Sequence, residues 1–179
     1  MQSDGLDLTF RYADASDVHA IVVLVQSAYR GQASRVGWTT EADLLDGQRT
    51  DAEEVDSVVN ESDAGLLLAT CKGQLLGCVL LRRERSGAYI GMLAVRPELQ
   101  AKGIGGLLLA EAESRAQSEL GCGCVRMAVI EQRKDLMAWY RRRGYAVTDR
   151  TEPFPYGNPR FGLPKRDDLR FAILEKVLV

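Results

Sequence analysis

The 179-residue chain contains one histidine, His19, four cysteines, five prolines and 7% aromatic residues. So few imidazoles and thiols leave little with which to hold a metal. Cys71 and Cys78 fall in apolar, strand-like runs, where cysteine serves as a small buried hydrophobe. Cys122 and Cys124 stand in a C-x-C spacing with no second ligand pair. Zinc takes four ligands, or three and a water, at recognisable spacings, so no metal site is expected. A disulfide framework is excluded too, because such frameworks belong to short, cysteine-dense secreted chains. Charge of one sign is also missing, since 23 Lys and Arg against 25 Asp and Glu give a formal net charge of −2. Nucleic-acid binders carry a basic balance, and no nucleic-acid partner is expected. No apolar run approaches the roughly 20 residues of a membrane helix, so no membrane partner is expected either. The opening MQSDGLDLTF lacks the basic start and apolar core of a signal peptide. These absences point to a soluble, cytoplasmic protein, and the length and 46% hydrophobic content to one domain over residues 1–179.

Periodicity supplies the elements. LDLTFRYA reads as a short first strand, and DASDVHAIVVLVQSAYR as a helix with Val18, Ile21, Val22 and Val25 on one face, capped by Asp14 or Ser16. His19 lies on this helix as a surface or boundary residue. Thr50, with Glu53 three positions on, makes a capping box for a second helix ending near Asn60. Strands GLLLATCKG and QLLGCVLLRRE join at a KG hairpin, and AYIGMLAV follows the RSG turn. Beyond a glycine-rich turn a helix runs to about Leu120, where GCG stops it. CVRMAVI is then a strand, RKDLMAWYRRR an amphipathic helix broken by Gly144, and YAVTDR and DLRFAILEKVLV the last strands. Between those two lies TEPFPYGNPRFGLPKRD, too rich in proline and glycine for a simple hairpin. The order predicts an α/β fold with one mixed, twisted sheet of about six to seven strands and helices on both faces. AYIGMLAV and CVRMAVI, joined by a helical crossover, should run parallel.

The turn VRPELQAKGIGG sits where a strand ends and a helix begins, a junction whose unpaired backbone N–H groups favour an anion. It is not a Walker A loop, because no Lys-Ser or Lys-Thr follows the glycines. It is not a dinucleotide fingerprint, because Leu108 stands where the last glycine would be. What remains is Leu93-x-Val95-x-Pro97, then Gln100-x-x-Gly103-x-Gly105, then an apolar helix, with Tyr140-x-x-x-Gly144-Tyr145 further on.

This combination resembles the GCN5-related N-acetyltransferases, whose loop has the form [QR]-x-x-G-x-[GA], and the element order matches along nearly the whole chain. The resemblance implies an acetyl-coenzyme A-dependent acyltransferase, with the parallel strands splayed at the sheet centre and acetyl-CoA as acetyl donor. It implies that Leu93, Ala94 and Val95 hold the pantetheine arm as an added strand would, and that a backbone amide of this strand faces the thioester oxygen. It implies that the turn of Gln100, Ala101, Lys102, Gly103, Ile104, Gly105 and Gly106 grips the pyrophosphate. Amides and the helix dipole suit that task, the side-chain-free Gly103 and Gly105 allow close approach, and Lys102 adds a charge.

Tyr140 occupies the family's usual general-acid position. A phenol of pKa about 10 facing a thiol near 8.5 must donate uphill by roughly 2 kcal/mol in water, a gap a desolvated site can close. Packing beside Trp139 is the other reading of Tyr140. An amine of pKa about 10.4 loses its proton at roughly 4 to 5 kcal/mol at neutral pH. Glu131, just past CVRMAVI, is the best-placed carboxylate to take it, directly or through water. Where many relatives carry asparagine seven residues before the tyrosine, this chain has Arg133, which either binds a phosphate of the cofactor or pairs with a carboxylate.

The acceptor is a small-molecule or peptide amine, and a homodimer is compatible with the family. Glu41 to Asp63 holds nine acidic residues against Arg49 alone, a surface that draws a cationic acceptor unless it is merely a solvated helix face. Trp38, Phe154 and Tyr156 lie on the candidate acceptor walls as an apolar or cation-binding lip, or as lid residues on the core. The alternative function is a CoA-binding regulatory or interaction module that keeps the fold without turnover.

Overall fold

The computed structural model describes residues 7–179. Leu6, at which the expected first strand begins, lies outside them, as does most of the opening read for a signal peptide. The strands are β1 Thr9–Tyr12, β2 Leu45–Asp46, β3 Ala64–Cys71, β4 Gln74–Glu84, β5 Gly87–Val95, β6 Cys124–Ile130, β7 Ala146–Pro153, β8 Leu163–Pro164 and β9 Arg170–Val177. The helices are α1 Val18–Tyr29, α2 Gly31–Ser34, α3 Ala52–Val59, α4 Ile104–Ser118 and α5 Lys134–Arg141. No helix among the described residues is long and apolar enough to cross a membrane.

Local chemistry explains the helix ends. Asp14 accepts the Ser16 amide at 2.8 Å, and Asp17 accepts the Asp14 amide at 2.9 Å, a reciprocal cap on the 3-10 turn that leads into α1. At α3 the cap is Asp51, which accepts the Glu54 amide at 2.8 Å, and not the expected Thr50. A carboxylate caps better beside the positive end of the helix, and Thr50 is buried, its hydroxyl donating to the Glu54 carboxylate at 2.6 Å. Gly121, at φ 64°, ends α4, with its amide and that of Cys122 closing on the Gln117 and Ala116 carbonyls. His19 is exposed, as expected.

Seven strands form one sheet in the order β1-β3-β4-β5-β6-β9-β7, and β2 pairs β8 separately. The continuous apolar run of β3 is buried on both faces. Leu66 and Leu68 pack with Ile21 and Val25 of α1 and Val55 of α3, whereas Leu67 and Ala69 share the opposite core with Leu108 and Ala112 of α4. Helices therefore cover both faces. The last strand, β9, inserts between β6 and β7, antiparallel to both. The proline-rich segment after β7 is pinned to the region before α3 by Leu45↔Pro164 and Asp46↔Leu163, and by Lys165 Nζ donating to the Ala42 carbonyl at 2.7 Å.

β5 and β6 are parallel, with α4 as the crossover, but they pair only at Ala88↔Val125 and Tyr89↔Arg126. Beyond those two pairs they diverge, and the sheet opens at its centre.

Candidate functional site

The opening coincides with a break in the neighbouring ladder. Gly91 opposes Leu80 and Ala94 opposes Cys78, so Met92 and Leu93 together face the single residue Val79. Met92 takes a left-handed φ of 48°, which turns the peptide units of this bulge out of the β4 ladder. The Cys78 thiol, pushed up to about 12 by burial, donates to the Met92 carbonyl at 3.7 Å, and the Tyr29 hydroxyl donates to the Leu93 carbonyl at 3.0 Å.

The chain then makes the glycine turn. Ala101 and Gly103 have φ of 64° and 87°, and Gly103 precedes the first residue of α4 without any side-chain cap. The amides at this helix start are therefore left to another acceptor. Gln100 braces the turn by donating from Nε2 to the Val95 carbonyl at 3.2 Å. Ile104 sends its side chain into the core, and Lys102 is exposed.

The spacing Tyr140-x-x-x-Gly144-Tyr145 has a specific physical meaning here. Gly144, at φ 90°, donates to the Arg141 carbonyl at 3.0 Å, and Tyr145 donates to the Tyr140 carbonyl at 3.3 Å. This double closure is a Schellman motif, and its accompanying contact is the Tyr140–Tyr145 ring pair at 5.7 Å. Tyr145 is itself anchored by donating to Glu113 Oε1 at 2.8 Å, and Lys176 holds the other oxygen of that carboxylate at 2.6 Å. The phenol of Tyr140 is thereby held at the opening, with its ring buried. Its hydroxyl has no hydrogen-bond partner among the described residues. Burial, then the nearby Tyr29 phenol, push its pKa well above the ordinary 10, against the pull of Arg133.

Two cavities meet at this point. The smaller, about 190 Å³, is lined by Val95, Gln100, Gly103, Gly105, Gly106 and Trp139 among others. The larger, about 370 Å³, extends over Tyr89, Met127, Phe154 and a set of arginines and glutamates. Both are lined by Tyr29, Leu93, Arg133, Leu136 and Tyr140. Leu93, Ala94, Val95, Gln100, Ala101, Gly103, Gly105, Gly106, Arg133 and Tyr140 are thus brought together around the smaller cavity. Glu131, Lys102 and Ile104 line neither cavity. Glu131 forms an ion pair with Arg170 instead.

Arg133 pairs with a carboxylate, one of the two roles the sequence left open. Its guanidinium donates to Glu41 Oε1 and to Thr39 Oγ1, each at 2.8 Å, while Arg30 holds the second oxygen of Glu41. Burial pushes the Glu41 carboxyl up, but Arg133, Arg30 and Arg49 outweigh it and keep the group below its ordinary value of 4.5. Much of the acidic wall is neutralised likewise: Asp43 pairs with Arg35, Asp46 with Lys165, Asp51 and Glu53 with Arg160, and Glu61 with Arg82. Trp38 stands by the glycine turn, 6.3 Å from Trp139, and not on the larger cavity. Phe154 lines the larger cavity, and Tyr156 lies off it, donating to the Arg166 carbonyl at 2.9 Å.

Sequence reasoning passed over Arg143, Tyr29 and Arg30. Arg143 stacks 3.6 Å over the Trp139 ring, and a Cβ at Gly106 would lie 3.3 Å from its guanidinium. It supplies the cationic charge that Lys102 does not bring to the cavity. Its position four residues after a tryptophan on a helix was a signal for this stacking. Tyr29 was marked by falling eight residues after Ile21 and four after Val25, on the helix's buried face.

The chain's segment 37–145 matches the family model described as the acetyltransferase (GNAT) family. No curated protein matches it significantly. Solved structures do. The ribosomal-protein-S18-alanine N-acetyltransferase of Escherichia coli superposes with a TM-score of 0.70 at 14% identity, covering 96% of this chain and 94% of that one. The PaiA N-acetyltransferase of Thermoplasma acidophilum, solved with coenzyme A, gives 0.69 at 19% identity, covering 96% and 99%. A spermidine N-acetyltransferase SpeG chimera from Vibrio cholerae and hSSAT gives 0.66 at 13% identity, covering 96% and 95%. At these identities the structures speak for the fold alone. The family-model match, across a segment that contains both the glycine turn and the Tyr140 motif, establishes that the chain belongs to the GNAT acetyltransferase family.

Proposed function

We propose that this protein moves an acetyl group from acetyl-CoA directly onto a primary amine. The observation that carries the proposal is the meeting of two cavities at one unpartnered phenol, Tyr140, beside a bulged strand. The smaller cavity fits the cofactor. Glycines 103, 105 and 106 line it, the start of α4 is uncapped, and a Cβ at Gly105 would project to within 3.6 Å of Val95 and 3.8 Å of Trp139. Arg143 stands there as the cation for a pyrophosphate. When bound, acetyl-CoA supplies a thioester as acyl donor.

The chain's own groups then have distinct tasks. Peptide units of the Met92–Leu93 bulge present a fixed dipole where negative charge develops on the acyl oxygen. Tyr140 keeps its proton at neutral pH and offers it from Oη to the leaving sulfur. The same burial that raises the phenol also raises a thiol, so the disparity between them need not widen. Among the described residues no cysteine or serine lines either cavity, which supports direct transfer over a covalent acyl-enzyme. Glu131 is occupied by Arg170 and stands off both cavities, so the amine's proton goes to water in the larger one.

The test is release of free thiol from acetyl-CoA in the presence of a panel of amines, with the acetylated product identified by mass. Release that depends on both substrates is the expected result. Cofactor binding without release for any amine would leave the protein as a CoA-binding module.

A further inference from the structure

We infer that the acceptor carries a carboxylate as well as its amine, and that Arg49 is the residue that recognises it. The inference rests on the acetyltransferase reading and narrows its substrate to amino-acid-like amines.

The larger cavity has five arginines and four glutamates on its wall. Four of those arginines are ion-paired within the protein, although the Nε of Arg30 and of Arg133 is buried without a partner among the described residues. Arg30 and Arg133 share Glu41, Arg126 holds both oxygens of Glu84 at 2.6 Å, and Arg82 pairs with Glu61. Arg49 alone among them has neither an ion pair nor a side-chain hydrogen bond among the described residues. The two carboxylates that act on it electrostatically, Glu41 and Glu54, make no direct ion pair with it among the described residues. Glu41 serves two guanidiniums, and Glu54 accepts the Thr50 hydroxyl at 2.6 Å and makes no ion pair. With Arg126 paired to Glu84 and Glu152, and Arg82 to Glu61, the lining leaves three guanidiniums (Arg30, Arg49, Arg133) against two carboxylates (Glu41, Glu54), an excess of one positive charge.

Glu41 and Glu54 act on the half-buried Arg49 only at a distance, without a direct ion pair among the described residues, which leaves its guanidinium fork open to a carboxylate that enters the cavity. The residue is also held in place for this. Gln26 of α1 accepts the Arg49 amide at 3.0 Å and donates to the Gly47 carbonyl at 3.0 Å, which fixes the segment that carries it. The Arg49 guanidinium lies 5.0 Å from the Tyr29 ring centroid, and the hydroxyl of the same ring touches the Leu93 carbonyl at the sheet opening. One tyrosine thus spans the distance from the reacting end of the site to the free guanidinium. An acceptor whose amine reaches Leu93 and whose carboxylate lies a few bonds away meets both ends. A guanidinium fork matches a carboxylate in two parallel hydrogen bonds. A polycation would instead meet the surplus positive charge, contrary to the acidic-wall expectation.

The experiment compares kcat/KM for thiol release with L-methionine, L-phenylalanine and L-glutamate, each against its own α-carboxamide, and with spermidine. The ratio of amino acid to amide should be roughly 10- to 100-fold higher in the wild-type protein than in Arg49→Met, the range of a charge-assisted pair. In Arg49→Lys an intermediate ratio should survive, since charge remains without the fork. Comparing ratios between variants cancels the different basicities of the two amines. A melting shift with acetyl-CoA in each variant reports that it is folded. A wild-type ratio no higher than that of Arg49→Met, or a preference for spermidine, overturns the inference. If no amine releases thiol, the acetyl-transfer reading fails and melting in the presence of coenzyme A decides for Arg49. Stabilisation by the amino acids in wild type but not in Arg49→Met keeps the assignment, and equal or absent shifts overturn it.

Discussion

Tyr140 and Glu41 illustrate how differently two buried polar residues serve one site. The Tyr140 hydroxyl has no hydrogen-bond partner among the described residues, so its loss should cost the fold little. Tyr140→Phe is expected to melt within a few degrees of the parent and to keep its acetyl-CoA shift, while turnover falls about 10²- to 10⁴-fold. Parent-like turnover in that variant would make Tyr140 a packing residue only. Glu41 is the reverse, since removing it strands two buried guanidiniums. Glu41→Ala should lose about 3–5 kcal/mol of stability in urea unfolding, as breaking a buried pair does. The pH sign follows from its depressed carboxyl. The group's contribution is complete above the ordinary value of 4.5 and is lost as pH falls through the lower folded value. Acid unfolding of the parent should therefore be steeper below that range than that of Glu41→Ala. Superimposable acid limbs would count against the ion-pair account.

Among the elements, the glycine turn shows what was legible in sequence and what was not. Its strand-to-helix position and the glycines at 103 and 105 follow from local chemistry, because positive φ and close approach leave a compositional mark. So do the parallel strands and the helix-ending Gly144. Gly105→Val should leave the fold intact, since a Cβ there meets only ordinary contacts, and should abolish stabilisation by acetyl-CoA. A retained shift would place the cofactor elsewhere. Pairings made across the chain were not legible. Arg133 and Glu41 stand 92 positions apart, and nothing local to either announces the other. The acidic run before and through α3 looked like a charged surface because its partners, such as Arg160 and Lys165, arrive on the loop after β7. Arg49 was visible as the lone cation of that run, but its lack of a partner emerges only when the others have been assigned. The cap at α3 was misplaced by one residue because Thr50 satisfies the capping-box pattern as well as Asp51 does, until burial separates them.

At the scale of the whole molecule, the sheet is continuous in topology but weakly joined at its centre. The gap-facing edges of β5 from Ile90 to Val95 and of β6 from Met127 to Ile130 have no partner in each other, although each is paired on its far side. Amides on the gap side of β5 should exchange hydrogen faster than those of β3 and should slow when acetyl-CoA is added, with β3 unchanged. Uniform protection before and after addition would contradict this.

Mechanically, the sheet is a pair of plates, β1-β3-β4-β5 and β6-β9-β7, hinged along a joint two residue pairs long. The ladder across the joint is that short, and the plates are otherwise held by the core that Val79 and Ile90 of the first and Met127 and Leu174 of the second share with α4, and by what stands across the gap. Tyr140 is one such strut, seated by Tyr145 on an anchor that includes Lys176 of the second plate. A change in that anchor, at Glu113 or Lys176, would loosen the seat of Tyr140 from positions that line neither cavity.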